Sequence, residues 1–122
     1  MENSDYQIRG FTIAVTNMEE MVNFYREVFE IRFTKVPKYG VILYEGKFGR
    51  MKMLMCPADI ARNTARQNRH QFDIIVKSLD NYKQKILENG GVLIENVTEN
   101  NDCYAMGFKD PDGNSMVLIE YK

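Results

Sequence analysis

The fold is decided by the stretch Gly10-Phe11-Thr12-Ile13-Ala14-Val15, which returns later in the chain as Gln71-Phe72-Asp73-Ile74-Ile75-Val76. The two stretches match at Phe, Ile and Val with a constant offset of 61 residues (71 minus 10), which is half of the 122-residue chain. In both, Phe, Ile and Val fall on one face by alternation, with Gly10, Thr12 and Ala14 or Gln71, Asp73 and Ile75 on the other, as in a strand with one covered face. A repeat at half the chain length predicts an internal duplication.

Each copy of this stretch is followed by the pattern of one helix and three strands. The first helix is predicted to begin after Asn17, whose side chain can cap it while Glu20 reaches back to complete a capping box. The second is predicted to begin after Ser78, as its cap, and to end at Gly90-Gly91 through a left-handed residue. The strand-like runs are Arg32–Val36, Val41–Glu45 and Met51–Met55 in the first half, and Val92–Val97, Tyr104–Lys109 and Ser115–Tyr121 in the second.

This order predicts an α+β fold of two tandem βαβββ modules. We expect one domain over residues 1–122, with module one at about 8–57, a linker at about 58–69 and module two at about 70–122. Each sheet presents one face to its helix and leaves the other bare. Two mixed sheets arranged in this way are expected to curl around a cleft.

Composition and charge exclude several classes of partner. Sixteen Lys and Arg residues against seventeen Asp and Glu give a net charge of -1, so neither nucleic acid nor an anionic membrane is expected as a partner. The local basic cluster of Arg62, Arg66 and Arg69 is interpreted as a solvated face. No apolar run approaches the roughly 20 residues of a membrane span, and the start of the chain lacks a signal-peptide pattern. We therefore expect a cytoplasmic protein in which Cys56 and Cys103 are reduced.

Two motifs resemble those of a known family. Residues 23–31 read NFYREVFEI, in the predicted first helix, and residues 108–120 read FKDPDGNSMVLIE, in the predicted final hairpin. Together with the paired βαβββ pattern, they resemble the glyoxalase, bleomycin-resistance and extradiol-dioxygenase superfamily, also called vicinal oxygen chelate. The resemblance runs from about Ile8 to Tyr121. It implies the glyoxalase/bleomycin-resistance fold but no particular reaction.

Enzymes of this superfamily hold a divalent metal with four side chains, typically His, Glu or Gln, because a Lewis-acid metal needs hard donors that converge from two sheets. The resemblance places these positions on Gly10, Met53 or Leu54, Gln71 and Val117. Of these only Gln71 offers an oxygen ligand, so we expect no metal and no cofactor. His70, the single histidine, is one residue away from a ligand position, and a one-residue shift in a strand points it to the opposite face.

The remaining polar and adaptable residues suggest a binding site. On the predicted face away from the helices, small side chains such as Thr12 stand with Gln71 and Asp73, as in a small-molecule pocket with a few polar anchors. Asp73 is the candidate base, should there be chemistry. Met53 can adapt to an apolar ligand, and Tyr44 and Tyr104 can stack on a planar one. The candidate ligand-binding residues are Thr12, Tyr44, Met53, Gln71, Asp73, Tyr104 and Val117.

We therefore expect a metal-free protein that binds a small organic molecule in its cleft, as the resemblance to bleomycin-resistance proteins implies. The same resemblance implies a homodimer. The alternative is a metal-dependent lyase, isomerase or dioxygenase whose ligands lie at other positions. A third hypothesis, a non-catalytic interaction module that uses the sheet edges or faces, has no specific support in the sequence.

Overall fold

The computed structural model of the chain describes residues 8–61, 68, 70–94 and 96–122. Arg62, Arg66 and Arg69, the predicted basic cluster, lie outside the described residues, and the predicted linker is described only at 58–61 and 68. Within the described residues the elements are β1 (Gly10–Val15), α1 (Met18–Phe29), β2 (Thr34–Lys38), β3 (Val41–Phe48), β4 (Met51–Pro57), β5 (Asp73–Ile75), α2 (Leu79–Glu88), β6 (Val92–Leu93), β7 (Thr98–Glu99), β8 (Cys103–Lys109) and β9 (Ser115–Tyr121).

The strands form two mixed sheets of related topology. The first sheet has the order β1-β4-β3-β2, and the second has the order β5-β9-β8-β6 with β7 also paired to β8. In each sheet the strand that precedes the helix runs parallel to the last strand of its module, whereas the other pairs are antiparallel. The predicted α+β class with two βαβββ modules is confirmed.

The first-sheet hairpins are tighter than the sequence predicted. β2 continues through Pro37 to Lys38, and the turn consists of Tyr39 and Gly40, both with positive φ (55° and 74°). Two consecutive positive φ angles suit a two-residue hairpin because they match the twist of the flanking strands. Proline is tolerated in β2 because that strand lies at the edge of the sheet. The predicted end of β2 before Pro37 was therefore wrong.

The predicted Val92–Val97 strand is divided in the structure. β6 pairs Val92 with Lys109, and β7 pairs Thr98 with Ala105, so the register against β8 shifts by two residues between them. Such a shift means that extra residues enter one side of an antiparallel ladder, as in a β-bulge, and it breaks regular pairing. Alternation of side chains does not reveal it.

The helix caps combine local and distant groups. The Asn17 side chain accepts a hydrogen bond from the Glu20 amide at 3.4 Å, as predicted, but the Asn17 amide donates to Asp112 Oδ1 at 3.2 Å instead of to Glu20. Ser78 occupies the predicted N-cap position of α2 without a side-chain bond, and Glu120 Oε1 accepts from the Leu79 amide at 2.7 Å. Acidic side chains suit helix N-termini because free amides point there. Neither described helix is long and apolar enough to span a bilayer.

One hydrophobic cluster joins the two modules. Phe24 of α1 stacks on Phe108 of β8 with ring centroids 6.2 Å apart, and Phe11 lies 4.9 Å from Phe72, its counterpart in the repeat. Val15, Met21, Val22, Phe24, Tyr25, Val28, Ile31, Met53, Met55, Val76, Leu79, Ile86, Met106, Phe108, Met116 and Leu118 are the buried members of this cluster. We call the face of each sheet that contributes to it the core face, and the opposite face the open face.

Candidate functional site

A cleft of about 790 Å³ lies over the open face of the first sheet. Its floor comes from two cross-strand pairs of the parallel β1–β4 ladder, Thr12 with Leu54 and Ala14 with Cys56. Leu43 of β3, the turn between β2 and β3 and the segment after β4 close its sides. We call it the Thr12 cleft; its lining residues are Thr12, Ala14, Lys38, Tyr39, Leu43, Leu54, Cys56, Asp59, Ile60 and Ala61.

The Thr12 cleft has an apolar floor and a charged rim. Leu43 and Cys56 are buried although they do not belong to the main core cluster, and both line the cleft. Burial raises the pKa of the Cys56 thiol, with a smaller contribution from the Asp59 carboxylate, and both effects favour the neutral thiol. At the rim, the Lys38 ammonium lies 5.2 Å from the centroid of the Tyr39 ring. Such a site suits an organic molecule with a polar edge.

The parallel ladders locate the metal-ligand position that the sequence left between Met53 and Leu54. Thr12 pairs with Leu54 in the first sheet, and its repeat counterpart Asp73 pairs with Val117 in the second. Leu54 is therefore the structural counterpart of Val117, on the open face. An aliphatic side chain occupies both positions, and neither can ligate a metal.

At Gly10, the structure leaves no space for a ligating side chain. A Cβ atom built there would lie 2.2 Å from the carbonyl oxygen of Lys52 and 2.7 Å from its Cβ. The close neighbour is backbone of the adjacent strand, so a side chain at this position requires the ladder to move. The glycine is thus a requirement of strand packing in the β1–β4 pair.

At Gln71 the side chain belongs to a polar network at the start of β9. Gln71 Nε2 donates to Ser115 Oγ at 2.6 Å, and the Ser115 amide donates to Asn68 Oδ1 at 2.9 Å. Asn68 Nδ2 donates in turn to the carbonyls of Ser115, at 2.8 Å, and of His70. Asn68 was not among the residues singled out from the sequence, since its hydrogen bonds to Ser115 join positions 47 residues apart.

The other predicted ligand-binding residues separate into two groups. Asp73 and Val117 pair across the parallel β5–β9 ladder on the open face of the second sheet, where Asp73 is exposed. Met53 is fully buried, and Tyr44 and Tyr104 pack against the same core cluster. The open faces thus carry Thr12 on the first sheet and Gln71, Asp73 and Val117 at the second, whereas Tyr44, Met53 and Tyr104 lie on the core faces.

The donor set of this chain does not fit the metal of the superfamily. Gly10, Leu54 and Val117 supply no donor atom, and the Gln71 amide is hydrogen-bonded to Ser115. His70 is exposed, and among the described residues no three His, Cys, Asp or Glu side chains lie close enough to hold a metal ion. Divalent metals in such sites need several nitrogen or oxygen donors.

Several residues of the Thr12 cleft were missed by sequence reasoning. Lys38 and Tyr39 were assigned to a turn, and Asp59 and Ile60 to the linker. Alternation along β4 places Cys56 on the same face as Leu54, and this signal was sufficient to find Cys56. The loop residues gave no such signal, because only the folded chain brings them over the sheet.

Comparisons with solved structures show the same fold at low identity. The hypothetical protein SA1046 from S. aureus superposes with a TM-score of 0.77 at 18% identity, covering 98% of this chain and 95% of that one. TnmS3, an antibiotic binding protein from Streptomyces sp. CB03234, gives 0.73 at 14%, covering 99% and 100%. The fosfomycin resistance protein FosX from Listeria monocytogenes gives 0.77 at 11%, covering 96% and 94%. A search of curated proteins finds no match.

The solved structures show the fold of the chain, and a match to a family model shows its family. The model of the glyoxalase-like domain matches residues 10–119, from the first residue of β1 into the last strand, β9. The match includes both copies of the repeat and the Asp110–Asn114 turn. The chain belongs to the glyoxalase-like domain family, within the glyoxalase, bleomycin-resistance and dioxygenase superfamily.

Proposed function

We propose that this protein binds a small organic molecule in the Thr12 cleft without a metal ion. The observation that carries the proposal is the cleft itself, whose volume of about 790 Å³ lies within the range of small-molecule sites and whose floor is apolar. The hydroxyl of Thr12 on the floor and the charges of Lys38 and Asp59 around it are available to orient a ligand. The similarity to TnmS3, an antibiotic binding protein, supports the same class of function.

The metal-free part of this proposal rests on donor chemistry. Three of the four positions that ligate metal in related enzymes carry Gly10, Leu54 and Val117. The competing function is a metal-dependent lyase, isomerase or dioxygenase that uses other ligands. Elemental analysis of untagged, unchelated protein for nickel, zinc, iron, manganese and cobalt distinguishes the two. We expect metal far below one atom per chain, and a stoichiometric metal would contradict the proposal.

A ligand screen with two matched leucine variants tests the site. Organic compounds that bind wild-type protein are identified by ligand-observed NMR and their Kd values measured. Ala14→Leu fills the cleft floor, whereas Gln84→Leu places the same side chain on the exposed surface of α2. We expect Ala14→Leu to weaken binding at least about tenfold and Gln84→Leu to leave it unchanged. Equal affinity in all three proteins would place the ligand elsewhere.

Variants of Gln71 and Asp73 test whether the second sheet also contacts the ligand. Both lie at the second sheet, and both belong to the proposed site only if the second sheet shares the ligand. Gln71→Ala and Asp73→Ala are each compared with wild type against the same compounds. Unchanged Kd values in both variants would restrict the site to the first sheet.

We further propose that the chain, as one domain over residues 1–122, forms a homodimer through the open face of its second sheet. This face carries Ile75, which is 65% exposed, and Ile94, which is 47% exposed and packs over Gly107. Ile75 lies on the β5 edge of this sheet and Ile94 on its β6 edge, and exposed apolar side chains spread over one face favour its burial against a partner. Light scattering should give twice the 14.3 kDa chain mass for wild type and one chain mass for Ile75→Glu. A monomeric wild type would refute the dimer.

The free thiols are consistent with a cytoplasmic location, and the net charge is consistent with the absence of nucleic-acid binding. Cys56 and Cys103 form no disulfide, which is ordinary in a reducing compartment such as the cytoplasm. The net charge of -1 gives no general attraction to nucleic acid. We therefore retain a cytoplasmic location and the absence of nucleic-acid binding as parts of the proposal. Fractionation of the producing cells and a filter-binding assay test them.

A further inference from the structure

A second cleft, at the other end of the first sheet, is strongly basic. It has a volume of about 740 Å³ and lies where β1 and β4 begin and β3 ends. Five cationic side chains line it, against two acidic ones, Glu30 and Glu45. We call it the basic cleft; its cationic residues are Arg9, Arg32, Lys47, Arg50 and Lys52. The formal charge of +3 contrasts with the net charge of -1 for the whole chain.

Strand register forces these cations together. Lys47 of β3 and Lys52 of β4 are direct cross-strand partners in the antiparallel hairpin. The Lys52 amide donates to the carbonyl of Arg9 at 3.1 Å, and Arg50 lies in the two-residue turn that joins the two strands. Directly opposed side chains in such a pair have Cβ atoms about 4.5–5.5 Å apart, and like charges at these positions are destabilising. The β3–β4 hairpin therefore holds two like charges, Lys47 and Lys52, at directly opposed positions.

The anions present in the described residues compensate this charge only partly. Lys52 Nζ lies 3.3 Å from Glu45 Oε1, in a pair whose side chains are 34% and 41% exposed. Among the described residues Arg9, Arg32, Lys47 and Arg50 make no ion pair within 4 Å. Lys47 in particular faces Lys52 with no anion of its own. The cleft thus presents cationic donors to an external anion.

We propose that the basic cleft binds a small multivalent oxyanion, either a phosphorylated or a polycarboxylated molecule. Arginine and lysine are the side chains that recognise both groups, through charge-assisted hydrogen bonds. A dianion between Lys47 and Lys52 converts the cross-strand repulsion into two attractions. This site is independent of the Thr12 cleft, and it stands or falls without the function proposed for that cleft.

The test uses inorganic pyrophosphate and citrate as probes at low ionic strength. Each is titrated into ¹⁵N-labelled wild-type protein, and the amide shifts of residues 9–10 and 46–53 are expected to move with saturable curves. Lys47→Gln should weaken both probes about tenfold. Lys77→Gln removes the same charge at an exposed position outside the cleft, so it should leave the Kd within about twofold. Preference for one probe identifies the phosphate or the carboxylate source.

Thermal unfolding supplies a second readout that does not depend on chemical shifts. Without anion, Lys47→Gln should be as stable as wild type or slightly more stable, because it removes the repulsion with Lys52. With saturating pyrophosphate or citrate, the wild-type Tm should rise and that of Lys47→Gln should rise less. Shifts scattered over the surface, equal weakening by Lys47→Gln and Lys77→Gln, or no binding of either probe would each overturn the proposal.

Discussion

The phenol of Tyr25 donates a 2.8 Å hydrogen bond to Oδ2 of Asp110, and so connects the helix of the first module to the β8–β9 turn of the second. Both residues are buried, at 0% and 2% exposure. Asp110 also accepts hydrogen bonds from the amides of Asp112 and Asn114 and from the Asn114 side chain. One carboxyl group therefore closes its own turn and fixes that turn to α1.

Tyr25→Phe should destabilise the protein by about 1–2 kcal/mol, because it removes one donor from a buried acceptor while keeping the ring. The free energy of unfolding in urea measures this loss. Tyr82→Phe is the matched control, since Tyr82 packs its ring on Phe29 with centroids 5.7 Å apart and its hydroxyl has no hydrogen bond among the described residues. We expect the control to change stability by less than about 0.5 kcal/mol. Equal losses in the two variants would contradict the role of the hydroxyl.

Stability in mild acid should depend on Asp110. Burial raises the pKa of this carboxyl above its ordinary value, although its hydrogen-bond donors lower it in part. The native protein then keeps the Asp110 proton to a higher pH than the unfolded chain does. The contribution of Asp110 is therefore fully present below the unfolded pKa of about 3.9, and it is lost as pH rises through the folded pKa.

Urea unfolding of wild type and Asp110→Asn over a pH series checks this direction. The stability of wild type relative to Asp110→Asn should be highest at the acid end of the series and decline as pH rises. A relative stability that is constant with pH, or that grows as pH rises, would contradict the raised pKa of Asp110.

Asp112→Ala should loosen the start of α1. The Asp112 carboxylate accepts from the Thr16 amide and the Thr16 hydroxyl, both at 2.7 Å, and from the Asn17 amide at 3.2 Å. Losing this distant cap should cost about 1–2 kcal/mol, as for other helix N-caps. Hydrogen exchange of the Thr16 and Asn17 amides should quicken in this variant and not in Asp102→Ala. Unchanged exchange would show that other groups hold the helix start.

Gly10→Ala should destabilise the protein by about 1–3 kcal/mol, the usual cost of overpacking. The added methyl would meet the Lys52 carbonyl oxygen at 2.2 Å. Gly107→Ala is the matched control, because a Cβ there finds its nearest atom, Cδ1 of Ile94, at 3.5 Å. Chemical denaturation of both variants tests the comparison. Equal stabilities would remove the steric argument that position 10 cannot hold a ligating side chain.

The helices and the general strand pattern were readable from sequence because their signals are local. Asn17 capped α1 as predicted, and Gly90, with a φ of 90°, gave α2 the left-handed ending expected of it. Hairpin ends were less predictable. Pro37 read as a turn residue, yet an edge strand accepts it because its missing amide has no partner to lose.

The candidate site was less accessible than the fold. Parity along the repeat placed Thr12 on the open face, where it lines the cleft. Tyr44 and Tyr104 were chosen for their chemistry without a known facing, and both lie on the core side. Lys38 and Asp59 reach the cleft only because a hairpin and a loop fold over the sheet. Neither segment has a periodicity that could predict this.

By itself, the sequence determined the duplicated βαβββ order and the superfamily, because alternation, helical spacing and turn motifs act within a few residues of each other. Only the tertiary structure decided that Leu54, and not Met53, corresponds to Val117, because strand register depends on pairing between distant segments and a one-residue slip exchanges the two faces. It also decided that Asp112 caps α1 from 95 residues away and that Lys47 opposes Lys52. These relationships arise when separate segments pack together, and no local pattern encodes them.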